Sequence, residues 1–160
     1  MLEKQTARIR TKWFVGLCAA LAIAALVPTT ASAQSGEQIF GTRCAACHQA
    51  DATGIPNMFP PLAQSEILNG DPGRVIRIIL HGLEGDVEVK GETYNGVMPP
   101  WGAAMNDAEI AALLTYVRSH FDNKSAAVTA PQVAKIRAAT ASRKTPWTMK
   151  ELAISAAPQK

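Results

Sequence analysis

Cys44-Ala45-Ala46-Cys47-His48 is the stretch on which the reading of this chain turns. Two cysteines three positions apart at a helix end lie on one side of it, and a histidine follows directly. A structural zinc site wants four ligands, usually from two paired motifs, yet beyond residue 33 the chain has no third cysteine. A thioredoxin-like redox pair would close a strand of a βαβ unit, and no such unit precedes this one. A plain disulfide is a poor use of that spacing. The remaining reading is covalent haem attachment: Cys44 and Cys47 each add to one vinyl group, and His48 supplies the proximal nitrogen to the iron. A covalent tether suits a chain too small to enclose a large flat cofactor.

Upstream, Ser35 can cap a helix running to about Ala46, with Glu37 in its first turn and Ile39 and Phe40 as apolar contacts. Before it, residues 1–33 read as an export signal. Lys4, Arg8, Arg10 and Lys12 form a basic start, Phe14 to Val27 is an uncharged apolar run, and Ala31-Ser32-Ala33 offers a small-x-small cleavage pattern. Cleavage is expected after Ala33, and Cys18 leaves with the peptide. An uncleaved anchor facing the periplasm is the alternative, but a spanning helix needs ~20 apolar residues and Pro28 interrupts this run well short of that.

Downstream, residues 49–69 lack periodicity and carry Gly54, Pro56, Pro60 and Pro61, which predicts loop. Asp71-Pro72 opens a helix that is apolar on more than one side and ends at Gly82. Val87-Glu88-Val89 and Glu92-Thr93-Tyr94 flank Lys90-Gly91 as a small β-hairpin. Asn106, with Glu109 three residues on, starts a helix whose apolar positions are Ile110, Leu113, Leu114 and Val117, ending near His120. Residues 123–160 predict a short helix over 131–139 and a last turn capped within Thr145–Thr148, with Trp147 packed on the neighbouring domain.

Charge divides along the same boundary. Residues 34–122 carry a net charge of −6 and residues 123–160 a net of +6, so an acidic haem domain bears a basic C-terminal extension. Nothing in this pattern points to nucleic acid. Glu84, Asp86, Glu88 and Glu92 cluster before Met98, as solvated surface, as a steering patch for a basic partner, or as a dock for the basic extension.

The second axial ligand has five candidates: Met58, His81, Met98, Met105 and His120. Met98 stands out because Asn95-Gly96 and Pro99-Pro100 flank it, which restricts the backbone that would present its sulfur. His81 is the runner-up. A methionine ligand raises the reduction potential where a second histidine would lower it.

Over residues 35–122 the chain resembles the class I mono-haem c-type cytochromes. Gly36 and Phe40 match the first-helix pattern of that family and Tyr116 the aromatic of its last helix. Cys44, Cys47 and His48 match the attachment site, Met98 in Asn95-Gly96-Val97-Met98-Pro99 the distal loop, and Pro60-Pro61-Leu62 the segment whose carbonyl holds the proximal histidine. The resemblance implies an all-α cytochrome c fold, about four to five helices around one covalent haem c, with a small β-hairpin and a partly helical extension. It implies a periplasmic single-electron carrier rather than an enzyme, with His48 and Met98 on the iron. Its partners would be redox proteins: a dehydrogenase, a copper nitrite reductase or a terminal oxidase. The hairpin and the extension are additions to the simplest members, and they look like c-type domains that accompany periplasmic dehydrogenases or copper nitrite reductases. A tightly bound electron-transfer subunit of a larger oxidoreductase is the alternative to a free shuttle.

Overall fold

The computed structural model describes residues 34–155, so the expected signal segment, with Cys18 and the cleavage point after Ala33, lies outside the described residues. Helix α1 (Gly36–Arg43) begins with a capping box: the Ser35 hydroxyl accepts from the Gln38 amide at 3.2 Å, and the Gln38 side chain accepts from the Ser35 amide at 2.9 Å. The sequence predicts one helix to Ala46. Instead Cys44 departs to φ −113° and the helix resumes as a single turn, α2 (Ala45–His48). The Cys44 amide still donates to the Phe40 carbonyl at 2.9 Å, so backbone pairing carries through the bend.

The expected loop 49–69 contains one further turn, α3 (Glu66–Asn69), capped by the Ser65 hydroxyl. Four residues are too few for a helical period to show in sequence. Helix α4 (Pro72–His81) starts where expected, with the Asp71 carboxylate accepting from the Gly73 and Arg74 amides at 3.0 and 3.1 Å. Its two apolar sides serve two clusters. Val75, Ile76, Ile79 and Leu80 join the main core, and Ile78 joins a second one with Leu83, Val87, Val89, Tyr94 and Leu152.

The hairpin is longer than its sequence signal. Strands β1 (Leu83–Val89) and β2 (Glu92–Met98) pair antiparallel in a register running from Leu83 opposite Met98 to Val89 opposite Glu92. Lys90 and Gly91 both have positive φ, as a tight hairpin turn requires. Gly85, Asp86, Asn95 and Gly96 have low strand propensity, which hid half of each strand. They pair nonetheless, and the Asn95 amide donates to the Asp86 carboxylate at 2.5 Å. Met98 therefore ends a strand; the expectation of a separate loop held by Asn95-Gly96 is corrected.

Helix α5 (Asp107–Ser119) has the expected capping box, with Asn106 and Glu109 exchanging bonds of 2.8 and 3.0 Å. It crosses α1 closely. A Cβ on Gly36 would lie 2.2 Å from the Ala112 carbonyl oxygen and 2.7 Å from Tyr116 Cβ, and the Phe40 and Tyr116 rings sit 5.9 Å apart just beyond. Gly36→Ala is expected to cost about 1–3 kcal/mol through overpacking, seen as a lower urea midpoint at unchanged slope. Beneath this crossing Ile39, Ile76, Ile110, Leu113 and Leu114 are fully buried, each contributing roughly 1.5–3 kcal/mol.

The extension packs back on this body as α6 (Ala130–Ala139) and α7 (Met149–Ser155). Thr148 caps α7, its hydroxyl accepting from the Glu151 amide at 3.3 Å. The architecture is thus predominantly helical with one hairpin. Among the described residues there are seven helices, of which α2 and α3 are four-residue turns. No described helix is long and apolar enough to cross a membrane.

Candidate haem site

The side chains singled out in the sequence meet at one cleft with two lobes. The outer lobe is walled by Arg43, Cys44, Cys47, His48, Met98 and Trp101, among others. The inner lobe reaches into the core between Leu62, Ile79, Val87, Leu113 and Leu114. Cys44, His48, Pro60, Leu83, Val87 and Met98 line both. The bend at Cys44 and the turn α2 bring both thiols to the outer wall. The two thiols stand unbonded to each other here, Cys44 half-buried and Cys47 exposed.

His48 is fixed from behind. Its Nδ1–H donates to the Pro60 carbonyl at 2.9 Å, which leaves Nε2 as the available donor atom. Burial lowers its pKa below the ordinary imidazole range, opposed by the Pro60 bond, so at neutral pH the ring is the neutral ligand form. Burial also pushes the Cys44 thiol up to about 11, against the pull of the Arg43 guanidinium.

The Pro60 carbonyl is itself held by packing that the sequence did not announce. Gly54 has φ +70°, and a Cβ there would lie 2.3 Å from the Phe59 oxygen and 2.8 Å from the Pro60 oxygen; only glycine allows that approach. Asn123, 2% exposed, uses its whole carboxamide on this loop and on α5. It donates to the Leu62 and Val117 carbonyls, both at 2.8 Å, and accepts from the Ser65 amide and the Asn69 side chain at 3.1 and 2.9 Å. A buried asparagine with every bond made is a rigid tie, but a lone Asn at a domain edge gave no sequence signal.

The distal candidates separate by position. Met105 is buried in the main core. His120 lies on the far end of α5, its Nδ1–H donating to the Tyr116 carbonyl at 2.9 Å. His81 faces the extension: its Nε2–H donates to the Thr140 hydroxyl at 2.7 Å, and that hydroxyl donates to the Ile136 carbonyl. Met58 reaches only the outer lobe and is 57% exposed, while Met98 shares both lobes with His48. Leu62 and Ile79 line the inner lobe and Trp101 the outer, while Val97, 68% exposed, stands at the mouth. The donor set and the apolar walls fit a covalently held haem: two thiols on one wall, a neutral imidazole with one nitrogen free, and a thioether.

A profile of the cytochrome c family matches residues 33–121. The chain belongs to the cytochrome c family. Cytochrome c-552 of Thermus thermophilus is 42% identical to this cytochrome over 112 residues, which cover 64% of this chain and 84% of that one. The cytochrome c subunit of the quinone-dependent alcohol dehydrogenase of Gluconacetobacter polyoxogenes is 30% identical over 105 residues, though these make up only 22% of that longer protein. The cytochrome subunit of fructose dehydrogenase from Gluconobacter japonicus is 29% identical over 117 residues, 23% of its length. As a family member this cytochrome carries covalently bound haem c and serves as an electron carrier for redox partners.

Proposed function

We propose that this cytochrome is an exported, periplasmic single-electron carrier, not an enzyme, in which Cys44 and Cys47 hold the haem and His48 and Met98 ligate its iron. The observation that carries the reading is that, among the described residues, His48 and Met98 alone of the histidines and methionines line both lobes of the cleft.

Cys44 and Cys47 would hold the haem through thioether links to its two vinyl groups, an addition that would need no oxidant or reductant. When bound, the haem supplies a one-electron Fe(III)/Fe(II) couple. The Pro60 carbonyl fixes the His48 tautomer and ring plane, and Leu62, Ile79, Leu113 and Leu114 keep water from the inner lobe, favouring the less charged state. His48 and Met98 would both be supplied to the iron by the chain, so electron transfer would need little rearrangement of these residues. The outer lobe, where Val97 and Met58 are exposed, is the port for brief docking with a partner. A dehydrogenase is the favoured donor or acceptor; copper nitrite reductase and terminal oxidase are the others. The likeness to dehydrogenase cytochrome subunits favours, as a second reading, a bound subunit of such a complex. Size-exclusion of a native periplasmic extract separates the two, since a shuttle elutes alone.

The test of the site is the absorption spectrum of the purified ferric protein. A weak far-red band, with no ready uptake of carbon monoxide on reduction, is the expected result. An absent band with ready uptake would mean an open iron, and a sensor or enzyme in place of a carrier.

A further inference from the structure

Among the described residues, no ion pair joins the extension's basic side chains to the acidic hairpin. Among the described residues the ion pairs are Arg137 with Asp107 at 2.7 Å and Arg143 with Glu151 at 2.9 Å, and neither involves Glu84, Asp86, Glu88 or Glu92. What the extension grips instead is backbone, on both sides of Met98.

On the upstream side, Trp147 lies beside the start of β1. Its amide donates to the Gly82 carbonyl at 3.0 Å and its carbonyl accepts from the Glu84 amide at 2.8 Å, a parallel bridge to Leu83. Leu83 is the residue paired with Met98 on the opposite edge. Gly82 (φ +83°) packs so closely there that a Cβ would lie 2.5 Å from the Met98 carbonyl oxygen. Three backbone segments are therefore stacked in one layer: Trp147, Leu83, Met98. The Trp147 ring is held in turn by the Arg143 guanidinium, 3.6 Å from its centroid. Arg143 is tied to the Pro146 carbonyl and to Glu151. Leu152, fully buried, backs the same layer from the second cluster, against which Met98 also packs.

On the downstream side, Arg137 spreads its guanidinium over the segment after Trp101. It donates to the Gly102 carbonyl at 2.5 Å, to the Met105 carbonyl at 2.9 Å and to the Asp107 carboxylate. One planar fork thus fixes three acceptors just beyond the Pro99-Pro100 stretch.

We propose that the C-terminal extension is a brace for the distal ligand, with Trp147 and Arg137 as positioning residues that hold the two flanks of Met98 and so set how firmly its sulfur stays on the iron. The proposal rests on Met98 being that ligand. A brace of this kind acts on the balance between sulfur-on and sulfur-off states, and an external ligand that binds only the sulfur-off state reads that balance directly.

The experiment titrates the ferric holoprotein with imidazole, which competes with Met98 for iron, following loss of the far-red band. Trp147→Ala and Arg137→Gln are expected to bind imidazole about tenfold more tightly than the wild type, within the usual range of coupling between sites. Trp147→Phe, which keeps a ring beneath Arg143, should restore most of the wild-type affinity. Gly36→Ala serves as the control for lost stability: it is expected to weaken the α1–α5 crossing, which holds neither flank of Met98, and should leave imidazole affinity unchanged. Wild-type imidazole affinity in both brace variants would overturn the brace alone, as would equal tightening in Gly36→Ala. A wild-type protein without the far-red band would overturn the Met98 reading and the brace with it.

Discussion

Met98→Ala is expected to abolish the weak far-red band of the ferric protein, to let the reduced protein bind carbon monoxide readily, and to lower the reduction potential. Alanine leaves no atom on that wall of the cleft able to reach the iron, and the nearest alternatives are badly placed. Met58 hangs at the mouth, His81 is committed to Thr140, and Met105 and His120 belong to the core and to the end of α5. The open position would then be taken by water, a harder ligand that favours the ferric state. Axial ligands control a range of roughly 0.8 V in haem proteins, and exchanging a thioether for water should shift the potential by a sizeable part of it. Equilibrium redox titration of both proteins measures the change. A variant that keeps the far-red band would assign the ligand elsewhere.

Replacing both thiols, Cys44→Ser with Cys47→Ser, is expected to have the larger effect on yield: no haem should remain on the chain after denaturing electrophoresis with a haem stain. Serine hydroxyls do not add to vinyl groups under conditions where thiols do. The consequence should reach the fold as well. The inner lobe is walled by Leu62, Ile79, Leu113 and Leu114 from three different segments, and those side chains share an apolar surface with whatever fills it. The doubly substituted chain should therefore lose helical ellipticity and accumulate poorly, whereas each single variant retains one thioether and part of the yield. Covalent haem on the double variant would sink the attachment assignment.

Much of the site could be read from the sequence because its motifs are local. Five consecutive residues present the attachment chemistry, and the Pro60 carbonyl is found where the family resemblance put it, 2.9 Å from His48 Nδ1. Caps were legible for the same reason: Ser35, Asp71 and Asn106 each act within three residues of themselves. Pairing across distance was not legible. Gly85 and Asp86 in one hairpin strand and Asn95 and Gly96 in the other do not favour strands, yet they pair in register with each other. Gly54 and Asn123 were equally silent, since their work depends on a carbonyl or an amide brought from elsewhere in the chain. The extension's charge was visible, but its use was not. Arg137 and Arg143 spend their donors mainly on backbone carbonyls and on one carboxylate each.

The residues that tie the cofactor come early in the chain, and those that flank Met98 from outside come last. His81 and Thr140, 59 positions apart, meet only through the docked extension. The two walls of the cleft thus differ in what secures them. The thiol wall is set by turns within a few residues of Cys44 and His48, whereas the methionine wall leans on Trp147 and Arg137 from the far end of the described residues. A change in the extension is therefore felt on one side of the cleft and not on the other.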